Sequence, residues 1–160
     1  MRDIVWSIDS RYDKFEDLVT KIKDTAHMLL SEQGVEVELK TSGMQNDEEL
    51  PLNFRQNVFL ILKEALNNVA KHSNADKVVI NINNSKDEFV MKVQDNGSNF
   101  EQKKNYSGQG LKNMKMRAGK INGTIKMRFE NGFEIIFKSK RAEVKTWHRI
   151  NMLLMIKQIY

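Results

Sequence analysis

The chain has 160 residues, 40% of them apolar and 29% charged, which fits one domain with a real core. It has no cysteine, which excludes a disulfide framework and thiolate chemistry, and no run reaches the ~18 unbroken apolar residues of a membrane span. The net charge is +5, but Lys138, Lys140, Arg141, Lys145, Arg149 and Lys157 against Glu143 account for all of it, so nucleic-acid binding would rest on the tail alone and is not expected.

The opening MRDIVWSIDSRYDKFEDL turns acidic too early for a signal peptide. Residues 14–33 carry Phe15, Leu18, Val19, Ile22, Ala26, Leu29 and Leu30 at helical spacing, with Gly34 as the stop. VEVEL alternates and reads as a short strand, and the polar loop after it ends at Pro51, the only proline. A strongly apolar helix is predicted over 53–72. KVVININN and EFVMKVQD are two strands joined across residues 84–87. SNFEQKKNYSGQG is a polar, glycine-bearing connection, and LKNMKMRAGKI is a helix of about three turns. GTIKMRF and GFEIIFKS form a hairpin across Glu130-Asn131-Gly132, where Asn-Gly is a strong turn signal. This order predicts an α+β protein with helices layered on one face of a largely antiparallel sheet.

Three stretches could carry chemistry. On the long helix Glu64, Asn68 and Lys71 sit at i, i+4 and i+7 and share a face, with Asn67 beside them. That face is either the wet side of an amphipathic helix or a set of hard oxygen ligands for Mg²⁺ with a lysine near phosphate. Two adjacent asparagines cost helix stability unless something else requires them. In QDNGSNF, Asp95 ends a strand and Gly97 lets the chain bend. This is a strand-ending turn or a carboxylate placed to accept from an exocyclic amine. In SGQGLKNMKMRAGKI, Gly108 and Gly110 lead into a helix start at about Leu111, with Lys112, Lys115 and Arg117 adding charge. That is a flexible linker or an anion site at a helix N-terminus.

Together the three resemble the ATP-binding catalytic domain of a bacterial sensor histidine kinase, within the ATPase superfamily shared with gyrase and heat-shock chaperones. Glu64-Ala65-Leu66-Asn67-Asn68-Val69-Ala70-Lys71-His72 resembles that family's N box, Asp95 to Phe100 its G1 box, and Gly108-Gln109-Gly110-Leu111 through Ala118 its G2 box. The form E-A-x-x-N-x-x-K-H followed by G-x-G-L-x-N-M-x-x-R-A is similar to the subgroup paired with LuxR-like response regulators. The resemblance covers about residues 1–139. It implies a two-layer α/β sandwich with a mixed, mostly antiparallel sheet and ATP under a mobile lid. It implies that Glu64 and Asn68 act in catalysis and at Mg²⁺, and that Asp95 binds the adenine amine. It implies that Lys71 and His72 lie near the phosphates, with Asn67, Gly97, Asn99, Gly108, Gly110 and Leu111 completing the nucleotide-binding set. Asn99 stands where the family usually has glycine. Asn is the non-glycine residue that best tolerates a left-handed backbone, so the expectation is a mild change.

The resemblance further implies residues 1–12 as the remnant of a second dimerisation helix, 13–139 as the ATP-binding catalytic domain and 140–160 as a basic tail of unassigned role. The three histidines, His27, His72 and His148, are followed by Met, Ser and Arg, so none fits the acceptor pattern H-[DE]-x-x-[QR]. The implied partners are a dimerisation and phosphoacceptor domain and a downstream response regulator, with a homodimeric parent that is open to membrane anchoring, a cytoplasmic location for this chain and no direct membrane contact from it. The alternatives are an anti-sigma-type serine kinase, which leaves RDIVWSID unexplained, and a regulatory pseudokinase module.

Overall fold

A computed structural model describes residues 13–43, 49–98, 108–129 and 132–140. The expected dimerisation-helix remnant, Asn99 with the segment 99–107, turn residues 130–131 and the tail from 141 lie outside the described residues.

The first helix, α1 (Phe15–Leu30), buries Phe15, Leu18, Ile22, Ala26 and Leu30 along one stripe. Its first turn carries Glu16 and Asp17. These acids complement the positive end of the helix, and the Asp17 carboxylate accepts the Lys14 N–H at 3.1 Å. A 3₁₀ turn over Ser31–Gln33 follows, and Gly34 exits at φ 73°. Strand β1 (Glu36–Gly43) is longer than VEVEL, because it pairs in parallel with β2 (Lys77–Asn84) along its whole length, from Glu36↔Lys77 to Gly43↔Asn84. Tertiary pairing overrides the weak strand propensity of Thr41-Ser42-Gly43.

Helix α2 (Leu52–His72) begins after Pro51 and buries Phe54, Val58, Ile61, Leu62, Ala65, Leu66 and Val69. Lys71 and His72 occupy its last turn, where the Lys71 ammonium suits the negative end of the dipole. Strand β3 (Glu88–Asp95), helix α3 (Gln109–Lys120), β4 (Gly123–Phe129) and β5 (Phe133–Lys140) complete the chain. The helix α3 starts two residues before Leu111, so Gly110 lies inside it.

The sheet order is β1-β2-β3-β5-β4. Among the described residues β1–β2 is the one parallel strand pairing, and β2–β3, β3–β5 and β4–β5 are antiparallel. The helices α1 and α2 pack on each other, and α2 packs on α3. Alternation in β2 and β3 turns Val78, Ile80, Ile82, Phe89, Met91 and Val93 inward. Phe89 joins the layers, edge-on to Phe54 at 5.1 Å and to Phe15 at 6.4 Å, and tilted against Phe137 at 6.1 Å. This is the expected two-layer α/β sandwich.

The outer sheet face is polar. Lys77 reaches Glu36 and Glu38 at 3.2 and 3.1 Å, and Lys40 reaches Glu38 at 2.8 Å. Hydrogen bonds from Lys40 and Lys77 hold the Glu38 carboxyl below its usual range. The exposed network contributes little, and that contribution is lost as pH falls through the lowered Glu38 pKa.

Candidate functional site

Asp95 is the last residue of β3, opposite Val78, and it faces the helices. It is 2% exposed. One carboxylate oxygen, Oδ1, accepts the N–H of Gly97 at 2.8 Å and that of Phe133 at 3.3 Å. The other, Oδ2, is buried with no hydrogen-bond partner. A plain turn does not need this arrangement. An unpaired buried acceptor costs on the order of 1–3 kcal/mol, and more when charged. It is tolerated where a donor from elsewhere completes it. An exocyclic amine is such a donor.

Gly97 and Gly132 make room around this carboxylate. A side chain at Gly97 would collide with the Ser73 hydroxyl. A Cβ at Gly132 would strike the backbone carbonyl of Asp95, and Gly132 holds φ 103°, a region that favours glycine. Asn96 does more than favour a turn. Its Oδ1 accepts the N–H groups of Asp76 and Lys77 at 3.1 and 3.0 Å, and its Nδ2 donates to Asp76 Oδ1 at 2.7 Å. Asn74 makes a second tie, accepting from Ser98 N at 2.9 Å and donating to Ser98 Oγ at 3.2 Å. These ties fasten the turn bearing Asp95 and Gly97 to the loop leaving α2. Turn chemistry in the sequence hides both roles, because the partners lie 19 to 24 residues away.

The polar face of α2 carries the other candidates. Glu64, Asn67, Asn68 and His72 are half-buried, and Lys71 is exposed. Glu64 lies against α3. A Cβ on Gly110 would occupy the position of the Glu64 carboxylate, so glycine there permits close approach of the two helices. Gly108 caps α3 in extended conformation, and Leu111 packs half-buried against the core. Glu64 and Asn67 line a cleft of about 230 Å³ with Leu60, Lys63, Asn113, Met114 and Arg117. Among the described residues no group of three His, Cys, Asp or Glu could hold a metal ion by itself. The donor set still suits Mg²⁺, which usually takes one or two protein oxygens and completes its shell with phosphate and water.

The structure therefore unites Glu64 with Gly110 and Asn67, and Asp95 with Gly97. Asn99 is outside the described residues. No helix among those described is long and apolar enough to cross a membrane.

The profile described as histidine kinase-, DNA gyrase B-, and HSP90-like ATPase matches residues 54–143. No curated protein matches. Similar solved structures include the histidine kinase domain of a blue-light activated histidine kinase from Erythrobacter litoralis, at 14% identity and TM-score 0.61, covering 81% of this chain and 63% of that one. The Acinetobacter baumannii histidine kinase AdeS aligns at 19% identity and TM-score 0.60, covering 80% of this chain and 64% of that one. The catalytic domain of histidine kinase ThkA aligns at 16% identity and TM-score 0.60, covering 79% of this chain and 93% of that one. The chain thus spans less than two-thirds of the first two, and at these identities the likeness shows the fold.

Proposed function

The chain belongs to the histidine kinase-, DNA gyrase B- and HSP90-like ATPase family, and from that premise we propose that it binds ATP with Mg²⁺ and supplies the γ-phosphoryl group to a histidine on a separate dimerisation domain. The observation that carries the reading is the buried, unpartnered Oδ2 of Asp95. It suits the adenine amine, while Oδ1 is already committed to the backbone. Gly97 lets the Ser73 hydroxyl and the Asp95 carboxylate approach the turn closely. Asn68 and Glu64 supply hard oxygen donors for the phosphate end, Lys71 supplies positive charge, and His72 supplies ring nitrogens for hydrogen bonding. Gly108, Gly110 and Leu111 open the helix whose N-terminus suits a phosphate, and Asn67 flanks it. When bound, Mg²⁺ neutralises phosphate charge, which with positioning is most of what phosphoryl transfer requires.

In the transfer, the bond from the terminal phosphorus to the bridging oxygen breaks, a phosphorus–nitrogen bond to imidazole forms, and ADP leaves. Glu64 polarises the attacking imidazole and draws its N–H proton. The acceptor comes from another segment, because His27, His72 and His148 lack the acidic neighbour of the acceptor pattern. The family-like spacing of E-A-x-x-N-x-x-K-H and G-x-G-L-x-N-M-x-x-R-A supports membership of the subgroup paired with LuxR-like response regulators, in a homodimeric parent.

The test is a calorimetric titration with a non-hydrolysable ATP analogue, with and without Mg²⁺. Binding is expected for the wild type, abolished by Asp95→Asn and stripped of its Mg²⁺ dependence by Asn68→Ala. Absence of wild-type binding up to millimolar analogue would overturn the reading.

A further inference from the structure

The sheet ends on β1 and β4, and among the described residues neither strand has a neighbour on its outer side. An edge strand offers unpaired N–H and C=O groups to another chain unless charge or cover protects it. On β4 the residues facing away from the helices are Thr124, Lys126 and Arg128, all exposed. They carry positive charge only, so two β4 edges would repel. On β1 the same face carries Glu36, Glu38, Lys40 and Ser42, and there both signs are present.

Backbone direction fixes which groups of β1 are free. Glu36 donates its N–H to the Asp76 carbonyl at 2.8 Å, on the β2 side. Alternation then turns the N–H and C=O of Val37, Leu39 and Thr41 to the open edge. Val37 and Leu39 are only half-buried although they face the helix layer, and Thr41 is exposed. An antiparallel self-pairing centred on Leu39 joins these free groups to one another. Leu39 meets its own copy and Val37 meets Thr41 as hydrogen-bonded pairs. Glu38 then stands opposite Lys40 on both sides of the centre, in the closer non-hydrogen-bonded pairs where opposite charges attract. Centring on Glu38 would set the two Glu38 carboxylates together, and centring on Lys40 would do the same to the two ammonium groups. The register about Leu39 contains no like-charged pair.

We propose that the open edge of β1 pairs with β1 of a second copy of this chain, in an antiparallel, two-fold symmetric ribbon centred on Leu39 that joins the two sheets into one. A self-complementary contact of this kind closes on itself and gives a dimer. One strand pair buries less than the about 800 Å² per partner of a stable interface, so the association is weak and rises with concentration. It needs no nucleotide, and it is separate from the dimerisation domain ascribed to the parent.

The experiment is sedimentation of the whole chain over a rising concentration series, in the wild type, Lys40→Glu, Glu38→Lys and an equimolar mixture of the two variants. The wild type is expected to pass from monomer to dimer. Lys40→Glu sets acid against acid across the ribbon and Glu38→Lys sets base against base, so each alone should associate about tenfold more weakly. In the mixture every acid of one chain faces a base of the other, and the dimer should return to the wild-type level as the mixed species. Damage to the fold of either variant would not be repaired by mixing. Glu38→Lys also gives up the contact of Glu38 with Lys77. If it does not fold, Glu38→Gln replaces it, and its mixture with Lys40→Glu should recover part of the association. A wild type that stays monomeric throughout, as it would if another segment of the same chain covered β1, would overturn the pairing. So would variants that associate as the wild type does, or a mixture that shows no rescue.

Discussion

Two glycines separate function from stability at the level of single residues. At Gly110 the atom in the way of a Cβ is the carboxylate of Glu64, the free end of a flexible side chain. Gly110→Ala should therefore leave the melting temperature unchanged or slightly raised, since Ala is the better helix former by up to about 1 kcal/mol. Glu64 must swing away, so phosphotransfer to an acceptor domain supplied in trans should fall. At Gly132 the obstruction is the Asp95 backbone and φ is positive. Gly132→Ala should lower stability by several kcal/mol, on the order of the large strain effects, and a urea denaturation curve would read it directly. Equal melting temperatures for the two variants would contradict this distinction. Asp95→Asn should not lower the melting temperature, because the oxygen it replaces makes no bond in the structure.

Among the elements, the decisive tie is the one between the loop leaving α2 and the turn after β3. Asn96 makes three side-chain hydrogen bonds across it. Asn96→Ala should cost about 1–3 kcal/mol at roughly 1 kcal/mol per bond, measured by chemical denaturation, and should weaken nucleotide binding by loosening Asp95. Asn74→Ala should act in the same sense and more weakly, since it removes one reciprocal pair. Full-strength nucleotide binding by the double variant would show that the tie holds only the fold. The helices α2 and α3 are registered by close packing at Gly110 and by the Asn53 amide donating to the Lys120 carbonyl at 3.4 Å at the opposite end. The pair therefore runs antiparallel, and Glu64 meets the start of α3.

For the molecule as a whole, Phe89 on β3 is the point where α1, α2 and β5 meet it through Phe15, Phe54 and Phe137. Phe89→Ala should cost about 3–5 kcal/mol in a cooperative denaturation curve, a large share of the stability of a domain this size. The elements themselves were legible in the sequence, because helical spacing in Leu18, Ile22 and Leu29 and alternation in KVVININN are local signals. The order of the sheet was not. Nothing local in GTIKMRF and GFEIIFKS tells which strand of the hairpin joins β3, and the structure gives that position to β5. The extension of β1 to Gly43 depends on pairing with residues 41 positions away. In the site, Asp95 and the α2 polar face could be singled out from residue type and spacing. The orphaned oxygen, the Asn96 tie and the shared cleft of Glu64 and Arg117 arise only when distant segments meet. The measurement that bears most directly on the site is the affinity of the wild-type chain for adenosine triphosphate against inosine triphosphate, which replaces the adenine amine by a carbonyl oxygen. Asp95 Oδ2 would face a second acceptor, so inosine triphosphate should bind at least about tenfold more weakly. Equal affinity would mean that the buried oxygen does not read the base.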